Sequence, residues 1–212
     1  MKTRRLFIPQ VALLCGALLF AACAASPTST SGNTTTTAKA TATKAPTATP
    51  KPKPTSVPTT SMAYCQGLLS LTEVNSIMQP PAAATTILFE NDTSGGLNAC
   101  SWTPGQSIAV LAVFFAPFPA GTSLTAAAQQ QLAKVHVPAG GSLNTTPVSG
   151  VGDQALYVSA TIPTPSGPNY IAALDVADGA VLIGCTQTGS GSVPAAAQGE
   201  LTQACKVVVG RL

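Results

Sequence analysis

The 212-residue chain is long enough for one or two domains, and its 45% hydrophobic and 8% charged residues describe an ordinary core under a surface solvated mainly by Ser, Thr, Gln, Asn and Gly, as suits an extracytoplasmic protein. The formal charge of +3 is unevenly spread: Lys2, Arg4, Arg5, Lys39, Lys44, Lys51 and Lys53 precede residue 62. Beyond it only Lys134, Lys206 and Arg211 oppose Glu73, Glu90, Asp92, Asp153, Asp175, Asp178 and Glu200, so this part is four charges negative and lacks the basic footprint that a nucleic-acid partner requires.

Met1 to Arg5 is a short basic segment, and Leu6 to Leu19 is mostly apolar despite Pro9, Gln10 and Gly16, the outline of a signal peptide. The sequence Phe20-Ala21-Ala22-Cys23 resembles the bacterial lipobox, in which small residues before the cysteine fit the lipoprotein signal peptidase. That resemblance implies that residues 1–22 are removed and that the Cys23 sulfur carries diacylglycerol, although Phe20 stands where Leu, Val or Ile is usual. An uncleaved anchor is the competing reading, because Leu6 to Ala25 is just long enough to span a bilayer; the polar sequence directly after Cys23 favours cleavage. Two or more acyl chains, palmitate among them, at about 0.8 kcal/mol per buried methylene would hold the protein on the outer face of the plasma membrane. Thr3 to Ile8, with Arg4 and Arg5 ahead of Phe7, also resembles a twin-arginine export motif, and an ordinary Sec leader explains it as well.

From Cys23 to residue 61 the chain reads as a tether. Ser26 to Ser61 is dominated by Thr, Ser, Pro, Ala and a few Lys without an apolar period, a composition that cannot bury a core and predicts disorder. Ala24 to Ser61 would reach about 120 Å as a polyproline-like path and average about 35 Å as a flexible coil. Its lysines suit anionic lipid or wall polymer. The Thr/Pro density also suits O-glycans, although a plain spacer explains it more simply.

Residues 62–212 read as a single domain. Ser70 and Glu73 form a capping box, with Leu69 and Val74 as its hydrophobic staple, opening a helix that shows Leu71, Val74, Ile77 and Met78 on one face and stops before Pro80. Asn98 to Trp102 and Ser107 to Phe115 read as strands joined through Thr103, Pro104, Gly105 and Gln106, with Pro and Gly placed for a type II turn. The second strand is apolar on both faces, which predicts a mid-sheet position under a helix. Phe114-Phe115-Ala116-Pro117-Phe118-Pro119 is tempting as an aromatic platform, but a core strand with a Pro-rich exit accounts for it. Leu124 to Val135 repeats Leu124, Ala128, Leu132 and Val135 at helical spacing. Strands follow at Gln154 to Ile162, Tyr170 to Val176 and Ala180 to Cys185, the last two joined through Asp178-Gly179 as a type I′ turn. Pro194 to Leu212 places Ala197, Leu201, Cys205 and Val208 on one helical face. This order predicts an α+β fold, an antiparallel sheet of about five strands with three helices packed on it.

Four cysteines remain in this domain, allowing three full pairings. Cys65 with Cys100 and Cys185 with Cys205 are favoured, since each pair joins a helix flank or face to a nearby strand end. Their loops of about 36 and 21 residues correspond to about 3 to 4 kcal/mol each in the chain-entropy model. No Cys-x-x-Cys spacing is present to suggest zinc or thiol chemistry.

Other motifs fall short. Gly150, Gly152 and Ala155 spell G-x-G-x-x-A with Asp175 about twenty residues on, but the dinucleotide fingerprint needs a helix after the glycines and an alternating strand follows. His136, at a helix exit, has no nucleophile-elbow serine beside it. Carboxylates stand singly and Glu73 is already used in the capping box, so no acid/base pair is visible. The expectation is therefore a non-enzyme without cofactor or metal.

Gly67 to Met78 (GLLSLTEVNSIM) resembles the opening helix of the extracellular sensor domain of a mycobacterial membrane serine/threonine kinase and its lipoprotein relatives. Cys65 ahead of Leu68-Leu69-Ser70, Cys100-Ser101-Trp102, Gly150 to Ala155 (GVGDQA), and Cys185 with Cys205 are similar to uncharacterised actinobacterial lipoproteins of a domain-of-unknown-function family. This chain has no kinase half, so signalling does not carry over, and neither relative supplies ligand or catalytic residues. The resemblance and the tether together point to a membrane-anchored module that binds a small ligand, an envelope component or a cell-wall or envelope protein; a structural or assembly lipoprotein acting through a protein partner is the alternative.

Overall fold

In the computed structural model, residues 52–91, 97–105, 108–133 and 135–212 are described. The leader, Cys23 and the chain through Lys51 lie outside the described residues.

Two serines start the domain. Ser61 caps α1 (Met62–Leu68) by accepting from the Tyr64 amide at 3.1 Å. Ser70 then caps α2 (Leu71–Met78), its Oγ accepting from the Glu73 amide at 3.2 Å while the Glu73 carboxylate accepts from the Ser70 amide at 2.8 Å. Arg211 donates to the same carboxylate and to the Leu68 carbonyl, so the far end of the chain holds both helices in place. With these donors around it, Glu73 is lowered to about 2, the Arg211 hydrogen bond being the largest cause.

The remaining elements are β1 (Thr86–Asn91), β2 (Asn98–Thr103), β3 (Leu111–Pro117), α3 (Leu124–Leu132), β4 (Ser142–Val148), β5 (Gln154–Ile162), β6 (Asn169–Asp178), β7 (Val181–Ser190) and α4 (Ala197–Arg211). All seven strands form one antiparallel sheet in the order β1-β2-β3-β7-β6-β5-β4. Strand side chains alternate between faces, and the two faces are covered differently. One carries Trp102, Leu111, Val113, Phe115, Leu174 and Ile183 into the main core with α1, α2 and α4. The other is partly covered by α3, whose Leu124 and Ala128 pack on Leu156, Val158, Ala177 and Leu182.

Both disulfides form as expected: Cys65 to Cys100 ties α1 to β2 with Cα atoms 5.6 Å apart, and Cys185 to Cys205 ties β7 to α4 at 6.1 Å. The antiparallel α+β class is as expected, but the described residues hold seven strands rather than about five and four helices rather than three. The three additional elements have weak periodic signals. α1 is only seven residues long and buries only Cys65 and Leu68. β1 and β4 are edge strands, and β4 is largely exposed with a proline at residue 147, which an edge tolerates because no partner needs the missing amide.

Several boundaries differ as well. The strand expected from Ser107 starts at Leu111, leaving Ile108 69% exposed. The helix expected through Val135 ends at Leu132. The β6–β7 hairpin turns on Gly179 and Ala180, because Asp178 and Val181 are themselves paired. Only the first of these two residues has positive φ, +58° at Gly179, the type II′ pattern rather than type I′.

Residues 52–60, read from sequence as linker, run against the folded domain. Ala180 donates to the Pro54 carbonyl at 3.0 Å, Asn98 Nδ2 to the Pro58 carbonyl at 2.7 Å, and Thr60 Oγ1 to the Glu90 carbonyl at 2.6 Å. Val57 packs on the main core. Lys53 pairs with Asp153, whose second oxygen accepts from the Gly179 amide. A segment with too few apolar residues to fold alone is thus ordered by hydrogen bonds to a surface that the domain supplies.

Candidate functional site

The less covered sheet face carries the candidate site. After α3 the chain does not continue directly into β4; Val135, His136, Val137 and Pro138 arch over the sheet as a lid. Beneath it Val158, Ala160 and Ile162 of β5 and Ile171 and Ala173 of β6 form the floor, and Leu132, Ser142 and Leu143 close the sides. The small residues follow from the register, which places Ala160 opposite Ile171 and Val158 opposite Ala173. Their short side chains leave a cavity of about 170 Å³, comparable to a cavity of about 150 Å³ that admits benzene. Its lining is almost wholly apolar.

This cavity lies at one end of the strands and the incoming chain at the other. Lys53 and Pro54 sit beside Asp153 and Gly179, ahead of β5 and after β6, whereas the pocket lies at Ile162 and Ile171. Lys53 and Pro54 therefore lie at the end of the sheet away from the pocket. A wider depression of about 410 Å³ near Gly121, Asp153 and Gly179 is open to solvent, and Gln154 at its edge is already used, accepting from the Leu124 amide and donating to the Thr122 carbonyl. Its shape holds a ligand less well than the apolar pocket does.

Asp175 departs from the apolar pattern of this face. It follows Ile171 and Ala173 on the same side of β6 and pairs across the sheet with Leu156 and Gly184. Neighbours enclose its carboxyl, although the residue keeps an opening to solvent. Desolvation alone pushes the carboxyl up to about 7, as expected when a carboxylate loses water without gaining a partner. Thr186, beside Ala173 on β7, is 6% exposed and its hydroxyl oxygen has no hydrogen-bond partner among the described residues.

The residues singled out from sequence are scattered. Cys23 lies outside the described residues; Cys65, Cys100, Cys185 and Cys205 are structural disulfides. His136 is on the lid. Gly150 and Gly152 form a turn with positive φ that enters β5 rather than a helix. Phe115 and Phe118 are buried in the two cores, while Phe114 is half-buried on the pocket face. Sequence reading considered Asp175 only as a partner of those glycines. A carboxylate inside the strand Ile171-Ala-Ala-Leu-Asp-Val-Ala177 was the available signal, because period-two alternation puts it in one row with Ile171, Ala173 and Ala177.

No group of His, Cys, Asp and Glu suited to a metal occurs among the described residues, and no helix among them is long and apolar enough to cross a membrane. No family model and no curated protein matches the chain.

Proposed function

We propose that the protein is a lipid-anchored, non-enzymatic binding module on the outer face of the bacterial plasma membrane, taking a small apolar ligand or the apolar part of a larger one. The observation that carries this reading is the apolar cavity between the Val135 to Pro138 lid and the floor of β5 and β6. Apolar surface lining a cavity gains free energy when a ligand displaces water from it. The lipobox-like Phe20 to Cys23, the polar sequence after it and the resemblance to sensor domains support a position outside the cell, and the two disulfides suit that compartment.

Ligand-dependent thermal stabilisation tests it. A ligand at a hundred times its Kd raises stability by about 2.7 kcal/mol, visible as a rise in Tm with small apolar probes. Ala160→Trp, which fills the cavity, should abolish the rise. A shift that survives Ala160→Trp, or no shift with any apolar probe, defeats the reading. Loss of palmitate labelling in Cys23→Ala tests the anchor.

A second reading is favoured by the edge strand β1, where Leu88 and Phe89 are 50% and 49% exposed. An edge strand with an apolar flank can accept a strand from an envelope protein. Crosslinking on intact cells should then trap one protein reproducibly, and Phe89→Lys should prevent it.

A further inference from the structure

Ala173 is the last β6 residue of the pocket floor, and two polar residues stand next to it on the same sheet face. Across the sheet Ala173 pairs with Thr186, and two residues further along the same face of β6 stands Asp175, paired with Gly184. Gly184 makes room there: a Cβ on it would lie 2.6 Å from the Phe114 ring and 3.2 Å from Asp175 Oδ1. The ring and the carboxyl therefore meet over bare backbone. Two polar groups, neither with a hydrogen-bond partner among the described residues, thus stand on the pocket's sheet face beside Ala173, the last β6 residue of its lining.

Resting on the binding reading above, we propose that Asp175 and Thr186, at the Ala173 edge of the pocket, receive the protonated amine of a small amphiphile whose apolar part lies under the lid, with Asp175 as its counter-charge and Thr186 as a hydrogen-bond acceptor. A buried carboxylate without a partner is unfavourable, and an ammonium restores a charge-assisted bond. A carboxylate or phosphate head would meet repulsion from Asp175 and from a domain four charges negative by sequence.

Competing charges are few. Among the described residues α3 has no ionisable side chain, and β3, β5 and β7 place none on this face. Glu90 shares the row of Asp175 but lies four strands away, and His136 is on the lid at the other end. The position of Asp175, raised to about 7 by burial, gives the interaction a pH signature: it strengthens as the carboxyl ionises.

The mature chain with Cys23→Ser loses the lipid and keeps every described residue. Calorimetric titration with octylamine, octanol and octanoate should show octylamine binding at least about tenfold tighter than octanoate near pH 8. The preference should shrink near pH 5.5, where Asp175 is largely protonated. Asp175→Asn should remove it while leaving octanol binding intact, and Thr186→Val should weaken octylamine selectively. If octanol binds but the heads are not distinguished, or if the preference persists in folded Asp175→Asn, the amine proposal fails and the apolar pocket stands. If none of the three probes binds, the pocket reading fails and the amine proposal with it.

Discussion

The two faces of one sheet contrast in how completely they are covered. On the face under α1, α2 and α4, Trp102, Phe115, Leu174 and Val176 are fully buried, and both disulfides fasten covering helices to strands. On the other face α3 covers only part of the strands and the rest is roofed by four residues of loop. The first arrangement maximises burial, whereas the second leaves space and an unpaired carboxyl. Binding surfaces belong to the less stable part of a fold because a ligand needs unfilled volume and polar groups still free to be satisfied.

This contrast can be broken most severely at Trp102, whose Nε1 donates to the Leu69 carbonyl at 3.0 Å. Trp102→Ala should cost about 3 to 5 kcal/mol in denaturant unfolding, while Ile171→Val at the pocket floor should cost about 1 kcal/mol or less, its neighbourhood being already open. Equal losses would erase the distinction. Removing the second disulfide with Cys185→Ala and Cys205→Ala together should lower stability by about 3 kcal/mol.

Asp175 supplies the next test. Its folded carboxyl titrates higher than the unfolded one, so the folded state holds the extra proton between the ordinary value of 3.8 and about 7. Stability from this group is full below the unfolded value and declines as pH rises through the folded one. Asp175→Asn should flatten that decline and, on the order of 2 kcal/mol, stabilise the protein near pH 8, as measured by unfolding at several pH values. Glu73 acts in the opposite direction. Lowered to about 2 from 4.5, it supports the fold above its unfolded value and loses that support as pH falls through the folded one, and Glu73→Gln should remove this acid sensitivity. The smallest effect belongs to Lys53 and Asp153, an exposed pair; Lys53→Ala should leave Tm nearly unchanged, because exposed ion pairs are screened by water and salt.

Local chemistry was legible wherever it was strong. The capping box at Ser70 and Glu73, the alternation from Gln154 to Ile162 and the apolar face of the last helix each require only near neighbours in sequence. The cysteine pairing followed once helix flanks and strand ends were placed. β1 and β4 were not legible, since edge strands need neither an apolar face nor a full set of amides. The type I′ expectation at Asp178-Gly179 failed by one residue because strand pairing, set by the whole β6–β7 register, decides which residues are left to turn.

For the site the balance is reversed. His136 and Asp175 stand out in the sequence as a single histidine and as a carboxylate within an apolar strand, but no local pattern joins either to a pocket. The pocket comes from the crossing between β3 and β4, which takes α3 and its lid over β5 and β6, and no local pattern specifies that path. By itself, the sequence determined the charge division, the α+β class and the cysteine framework, because composition and short-range periodicity set these. Only the tertiary structure decided that residues 52–60 lie on the domain, that one sheet face is left partly open, and that a carboxyl stands unpaired beside an apolar pocket, because each depends on segments distant in sequence meeting in space.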